Sequence, residues 1–407
     1  MGKNIIICSD GTGNTFDSRV TNVTHLIECL ALDNHKQQVA VYDQGVGTSV
    51  YRCSKVDAYR NSLKDKEALR VLPPPLESRF RPKAWLDRGR GLLFGYGLKE
   101  NVREMYRELS DLYEGPDDRV FLFGFSRGAF TVRALAGLLY RCQLPQYGVA
   151  DFDARFNRAW ELYEPMLGDE TATMRFRTEQ RWCPIHLLGI WDTVKSYGGL
   201  NPVMLPHLRH NPIVKYVRHA LALHEHRAWF QPTTWGLLDL DREGAMTRLK
   251  KEDLRSYEQQ DIDEVWFAGC HSDIGGGDNE EVTARIALRW MLGEVVNIDQ
   301  GIRLNDRGKA LLAEGDPSES PEIHDVWNLR WWTMEQVLRK EIDNSGMYPV
   351  KKWAWGSNGK REPAKLRRCD GKVFLHSTVD STQLIPGRIE HRHTKSLPKE
   401  SDSSVDC

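Results

Sequence analysis

Five short apolar runs punctuate the chain, at residues 4–9, 38–42, 120–124, 185–191 and 264–269, and each runs into Gly or Asp. None alternates with polar residues, so each reads as a strand buried on both faces, the pattern of a parallel sheet. Between them lie amphipathic stretches with helical spacing at 22–31, 101–113 and 129–140. That alternation predicts the α/β class: a mostly parallel central sheet covered by helices on both sides. In such sheets a ligand sits beyond the carboxyl ends of the strands.

Some segments break the rhythm. Residues 51–90 carry Pro73, Pro74 and Pro75 among many basic residues and are expected to run over the surface. Residues 140–184 and 202–260, the latter rich in His, Arg and Trp, are expected to form a helical cap, and 301–345 reads as further helix. One domain is expected over 1–394, followed by a Ser-, Asp- and Lys-rich disordered tail at 395–407. No internal repeat is found.

Composition narrows the classes. Of 407 residues, 40% are hydrophobic and 28% charged, which excludes large-scale disorder. A net charge of -1 gives no global attraction to nucleic acid or anionic lipid, so any peripheral membrane contact has to be local. Oligomeric state is not written in these patterns. The N-terminus passes from Ile5-Ile6-Ile7 straight to Asp10-Gly11, too short an apolar stretch for a signal peptide. No run approaches the roughly 20 apolar residues that span a bilayer, so the expectation is a chain that is cytoplasmic as synthesised. The eight cysteines are scattered without a C-x-x-C pair, which argues against a disulfide framework or a zinc site.

The candidate chemistry begins at Gly124-Phe125-Ser126-Arg127-Gly128, a G-x-S-x-G motif that closes an apolar strand and opens a helical pattern. This context is the one in which a strained turn lifts a serine hydroxyl out of the sheet as a nucleophile. Such a serine needs a base, and the base needs an acid. The next strand ends in Asp192, and the strand after it in Cys270-His271-Ser272-Asp273. The chain order Ser126, Asp192, His271 is the order expected of an α/β-hydrolase. Asp273 is the alternative acid, and His376 the rival base. The oxyanion hole is expected to use the backbone N–H of Arg127 and that of Gly11 or Thr12, in the loop after the first strand. Asp10 and Asn14 also suit a simple tight turn there.

Taken together, the segments from Ser9 to Asn14, Tyr42 to Thr48, Gly124 to Phe130, Trp191 to Val194 and His271 to Gly277 resemble the DUF2235 family. That family includes the catalytic domain of Tle1-like phospholipases of type VI secretion. The resemblance covers about residues 3–277, and the segment His376 to Val379 looks like a later family motif. It implies an α/β-hydrolase fold, a Ser-Asp-His triad without cofactor or metal, a phospholipid or other ester substrate, and a route of export by a specialised secretion system. The chain departs from the pattern at His224, where relatives usually carry Asp, and at Ser377, where they usually carry Pro. A carboxylesterase or thioesterase for soluble substrates, and a non-catalytic interaction protein, stay open as alternatives.

Other signals point elsewhere and are set aside. The glycines between Gly89 and Gly97 follow no clear strand and lack the acidic partner of a dinucleotide site. His224-Glu225-His226 is not H-E-x-x-H, and neighbouring positions on a helix face apart. Trp229, Phe230 and Trp235 are expected to build the cap's own small core, with an acyl-chain pocket as the other reading.

Overall fold

The structure is a computed structural model describing residues 2–11, 20–45, 54–72, 93–146, 148, 150–194, 203–235, 260–277, 282–316, 323–324, 339–343, 350–354, 361, 372–379 and 388–397. Among the described residues nine strands form one sheet: β1 (Asn4–Ser9), β2 (Gln38–Asp43), β3 (Leu69–Val71), β4 (Arg119–Phe125), β5 (Ile185–Trp191), β6 (Val214–Ala222), β7 (Asp261–Phe267), β10 (Lys372–His376) and β11 (Arg388–Arg392). Their spatial order is β11-β10-β7-β6-β5-β4-β1-β2-β3, and every neighbouring pair is parallel. A separate antiparallel pair is made by β8 (Arg339–Asp343) and β9 (Val350–Ala354).

The helices are α1 (Asn22–Cys29), α2 (Ser54–Ser62), α3 (Leu93–Leu112), α4 (Arg127–Cys142), α5 (Phe152–Tyr163), α6 (Glu170–Arg177), α7 (His271–Gly275), α8 (Val282–Asn297) and α9 (Asp306–Ala313). The pleat divides the strands between two cores. Ile5, Ile7, Val120 and Leu122 pack with α3, α4 and α5 on one face. Ile6, Cys8, Phe121 and Phe123 pack with α1, α8 and α9 on the other. Because both faces are covered, all six residues of β1 are buried, as the unbroken apolar run requires.

Several expectations change. The segment 202–260 is not wholly cap, because β6 lies within it and pairs with β5 and β7 in the middle of the sheet. Its sequence hid the strand because it carries Arg218 and His219, whose polar groups are met from neighbouring elements. Arg218 bonds Glu294 at 2.7 Å, and His219 bonds Glu264 at 2.8 Å. The 51–90 segment supplies α2 and the edge strand β3, while 73–92 lie outside the described residues. The span 301–345 holds α9 but also β8, so it is not all helix; Trp327, Trp331 and Trp332 lie outside the described residues. Gly95 and Gly97 fall inside α3, whose continuous helix leaves no phosphate-binding turn at those two positions. In the expected tail, Lys395 is described and its ammonium bonds Glu294 at 2.8 Å; residues 398–407 lie outside the described residues.

Candidate active site

The carboxyl ends of β4, β5 and β7 meet at one rim, where Ser126, Asp192 and His271 follow the three strands. Ser126 has φ 57° and ψ -119°, a backbone conformation that L residues rarely adopt. It is held there from both sides. Its N–H donates to the Trp191 carbonyl at 3.0 Å, and α4 starts immediately after it. The turn closes only because Gly128 lacks a side chain: a Cβ there would stand 2.1 Å from the Ser9 carbonyl oxygen.

Asp192 also has a positive φ, 39°. Its N–H donates to the Ala220 carbonyl at 2.8 Å, and its Oδ1 accepts the N–H of Ala222 at 3.1 Å. The new strand β6 therefore cradles the acid. His271 opens the short helix α7, and its N–H donates to Glu225 Oε2 at 3.2 Å. Its ring lies between two aromatic rings, with the centroid of Phe125 at 4.7 Å and that of Phe230 at 4.9 Å. The Arg227 guanidinium, paired with Glu225, lies over the Phe230 ring, 3.8 Å from its centroid.

These supports bring the three side chains into line. His271 Nδ1 is 2.6 Å from Asp192 Oδ2, and His271 Nε2 is 2.8 Å from Ser126 Oγ. Burial would push the Asp192 carboxyl up, but the Arg361 guanidinium and His271 outweigh it and hold the group well below the usual carboxylate range. An ionised Asp192 can only accept, so the imidazole proton sits on Nδ1 and Nε2 is left to accept from the serine hydroxyl.

The alternative residues lie elsewhere. Asp273 accepts the Cys270 N–H at 2.9 Å and pairs with His324 Nδ1 at 2.5 Å, so it caps α7 and does not hold the His271 ring. His376 is stacked on Phe267, with Nδ1 3.0 Å from Thr378 Oγ1 and Nε2 3.6 Å from Asp316. Burial pushes its pKa down to about 4. It belongs to the β10 end of the sheet, with partners of its own.

Of the expected oxyanion donors, Gly11 and Arg127 are among the described residues. Gly11 lies against Ser126, where a Cβ would stand 3.3 Å from the serine Cβ, but its N–H already donates to Asp10 Oδ1 at 2.7 Å. Asp10 is buried, and its other oxygen accepts from Thr21 at 2.8 Å and Tyr42 at 3.0 Å. In this arrangement Gly11 is a wall of the site, its N–H committed to the Asp10 turn. Thr12 lies outside the described residues. Arg127 is the first residue of α4, at the helix end where N–H groups point out of the helix. Trp235 is buried in the core under the Arg133 guanidinium, whereas Phe230 lines the His271 ring.

Arg361 is the site residue that sequence reasoning missed. It sits among Lys360, Lys365, Arg367 and Arg368, a basic stretch in which nothing distinguishes it. Glu225 lies in the His224-Glu225-His226 stretch, and no group of residues able to hold a metal occurs among the described residues. No helix among them is long and apolar enough to cross a membrane.

Comparison with known proteins places the chain. It is 30% identical over 243 residues to the uncharacterized protein YEL023C of Saccharomyces cerevisiae, covering 56% of this chain and 32% of that protein. Among solved structures it is similar to an uncharacterized protein from Pseudomonas aeruginosa, at 20% identity and a TM-score of 0.37, covering 72% of this chain and 45% of that one. It is also similar to a structure titled as the Tle1 effector bound to the VgrG spike of the type 6 secretion system, at 19% identity and a TM-score of 0.25, covering 68% of this chain and 52% of that one. The chain thus spans about a third to a half of these relatives. Residues 3–294 match the family model described as "T6SS, Phospholipase effector Tle1-like, catalytic domain", well over half of the sequence, and the chain belongs to that family.

Proposed function

We propose that the chain is a serine ester hydrolase of the phospholipase type, with Ser126 as nucleophile, His271 as base and Asp192 as the acid that orients it. The observation that carries this reading is the continuous line from Asp192 through the imidazole to Ser126, at 2.6 and 2.8 Å. As Ser126 Oγ bonds to the ester carbonyl carbon, its proton passes to His271 Nε2. The carbonyl oxygen takes the negative charge and is met by the Arg127 N–H at the start of α4. When the tetrahedral intermediate collapses, the carbon–alkoxide bond breaks and His271 returns the proton to the leaving alcohol. Water, giving a proton to the same imidazole, then bonds to the acyl carbon; the bond from that carbon to Ser126 Oγ breaks, and His271 returns the proton to Ser126 as the carboxylic acid leaves. The aromatic walls of Phe125 and Phe230 keep water from the imidazole and strengthen each of these interactions.

Membership of the phospholipase effector family supports glycerophospholipid as the substrate class and delivery by a type VI system as the route. The test is a Ser126→Ala protein beside the wild type. Wild type should hydrolyse p-nitrophenyl esters and release fatty acid from phospholipid vesicles, while the variant stays near background. Equal turnover by the variant would end the assignment. Wild-type activity restricted to short soluble esters would move the substrate class to a carboxylesterase.

A further inference from the structure

Asp192 is bound by more than its histidine. Arg361 Nη1 reaches Asp192 Oδ1 at 2.5 Å, and Nη2 reaches Asp192 Oδ2 at 2.9 Å. The same fork donates to the Ala222 carbonyl at 2.8 Å and to the Phe230 carbonyl. Its side chain has no exposed surface, and neither has that of Asp192. Arg361 lies beyond residues 3–294, the span shared with the family model. We infer that Arg361 is a positioning residue for the proposed triad: a guanidinium fork from the C-terminal segment that aims Asp192 at His271 and sets the charge against which the imidazole works.

The chemistry follows from the geometry. A carboxylate held at both oxygens by a planar fork cannot rotate, so Oδ2 stays aligned with His271 Nδ1. Arg361 also ties Asp192 to the Phe230 carbonyl, and the Phe230 ring stands against the imidazole. One side chain thus fixes the acid and a wall of the base together. Its charge has a second effect. Ester attack converts His271 to an imidazolium, which the Asp192 carboxylate stabilises; a cation already bound to that carboxylate weakens the stabilisation.

The other charged and titratable groups around the pair are mostly matched among themselves. Glu225 pairs with Arg227 at 2.6 Å, Asp273 with His324 at 2.5 Å, and His219 with Glu264 at 2.8 Å. His224 Nδ1 accepts the Gly269 N–H at 2.9 Å, and the Cys270 thiol, pushed up to about 11 by burial, is neutral. Arg133 is buried further along α4, bonding the Thr233 carbonyl at 2.5 Å. Among the described residues Arg361 is the cation bonded directly to Asp192.

The inference rests on the proposed triad, and the experiment separates the two. The second-order rate of Ser126 labelling by a fluorophosphonate probe is measured from pH 5 to 9 for wild type, Ser126→Ala, Arg361→Met and Arg361→Lys, with circular dichroism on each. If wild type does not label at Ser126, the triad reading fails, and this inference with it. If wild type labels, Arg361→Met should lose roughly 10- to 100-fold in rate, and the acid limb of its profile should move to higher pH. Arg361→Lys keeps the charge without the fork, so it should lose rate while its acid limb stays near that of wild type. A folded Arg361→Met protein with an unshifted profile and near-wild-type rate overturns the inference. Should Arg361→Met not fold, Arg361→Lys decides: wild-type rate and profile in that variant show that the fork does not position the acid.

Discussion

The backbone of Gly128 lies directly against the carbonyl of Ser9, so that a Cβ on Gly128 would fall 2.1 Å from that oxygen. The obstacle is backbone on the central strand β1, which cannot swing aside as a side chain can. Gly128→Ala should therefore cost about 3 kcal/mol of stability, read as a lower melting temperature and urea midpoint. It should also slow probe labelling of Ser126, because α4 can relieve the clash only by shifting the elbow. A variant with unchanged stability would mean that the two backbones are farther apart than described.

The two histidines proposed as base differ in what they touch. His271 reaches Ser126, and His376 reaches Thr378 and Asp316. His271→Gln should lower ester turnover by at least roughly 10³-fold, whereas His376→Gln should stay within a few-fold of wild type. The reverse ranking would exchange their roles.

Removing the acid should have two separable effects. Asp192→Asn should reduce kcat by roughly 10⁴-fold, since the amide no longer fixes the correct imidazole tautomer. Asp192→Ala should also lose about 3–5 kcal/mol of stability, as should Asp192→Asn, because Arg361 is then buried without its anion. Thermal unfolding against Ser126→Ala, which touches no buried charge, gives the comparison. Equal melting temperatures for Asp192→Ala and Ser126→Ala would contradict the buried pair.

Asp10 sets a pH dependence of opposite sign to that of a salt-bridged acid. Burial raises its pKa from 3.8 to about 6, against the bonds from Thr21, Gly11 and Tyr42. The folded state then binds the proton more tightly than the unfolded state, so this group's contribution to stability falls as pH rises from about 4 to about 6 and levels off above. The full change amounts to about 3 kcal/mol. Asp10→Asn cannot ionise, so its stability relative to wild type should improve as pH rises from 4 to 7.5. Urea denaturation at those two pH values checks the sign; a difference that does not change with pH contradicts it.

Much of the fold was legible because it depends on neighbours in the chain. Five apolar runs became five strands, with β1 and β5 ending where the pattern ends and the others shifted by up to a few residues. The strands that were missed have mixed composition. β6 conceals its burial behind Arg218 and His219, and β10 and β11 carry Lys372, Arg388 and Arg392.

By itself the sequence determined the elbow at Ser126, the acid after β5 and the histidine after β7, since each is a property of a few contiguous residues at the end of an apolar run. Only the tertiary structure decided which groups use one another. The fold brings Asp192 to His271 across 79 residues and to Arg361 across 169, and Asp273 to His324 across 51. Apolar periodicity records that a strand is buried and says nothing about which strand lies beside it, so the pairing of charges at the rim appears only once the sheet is assembled.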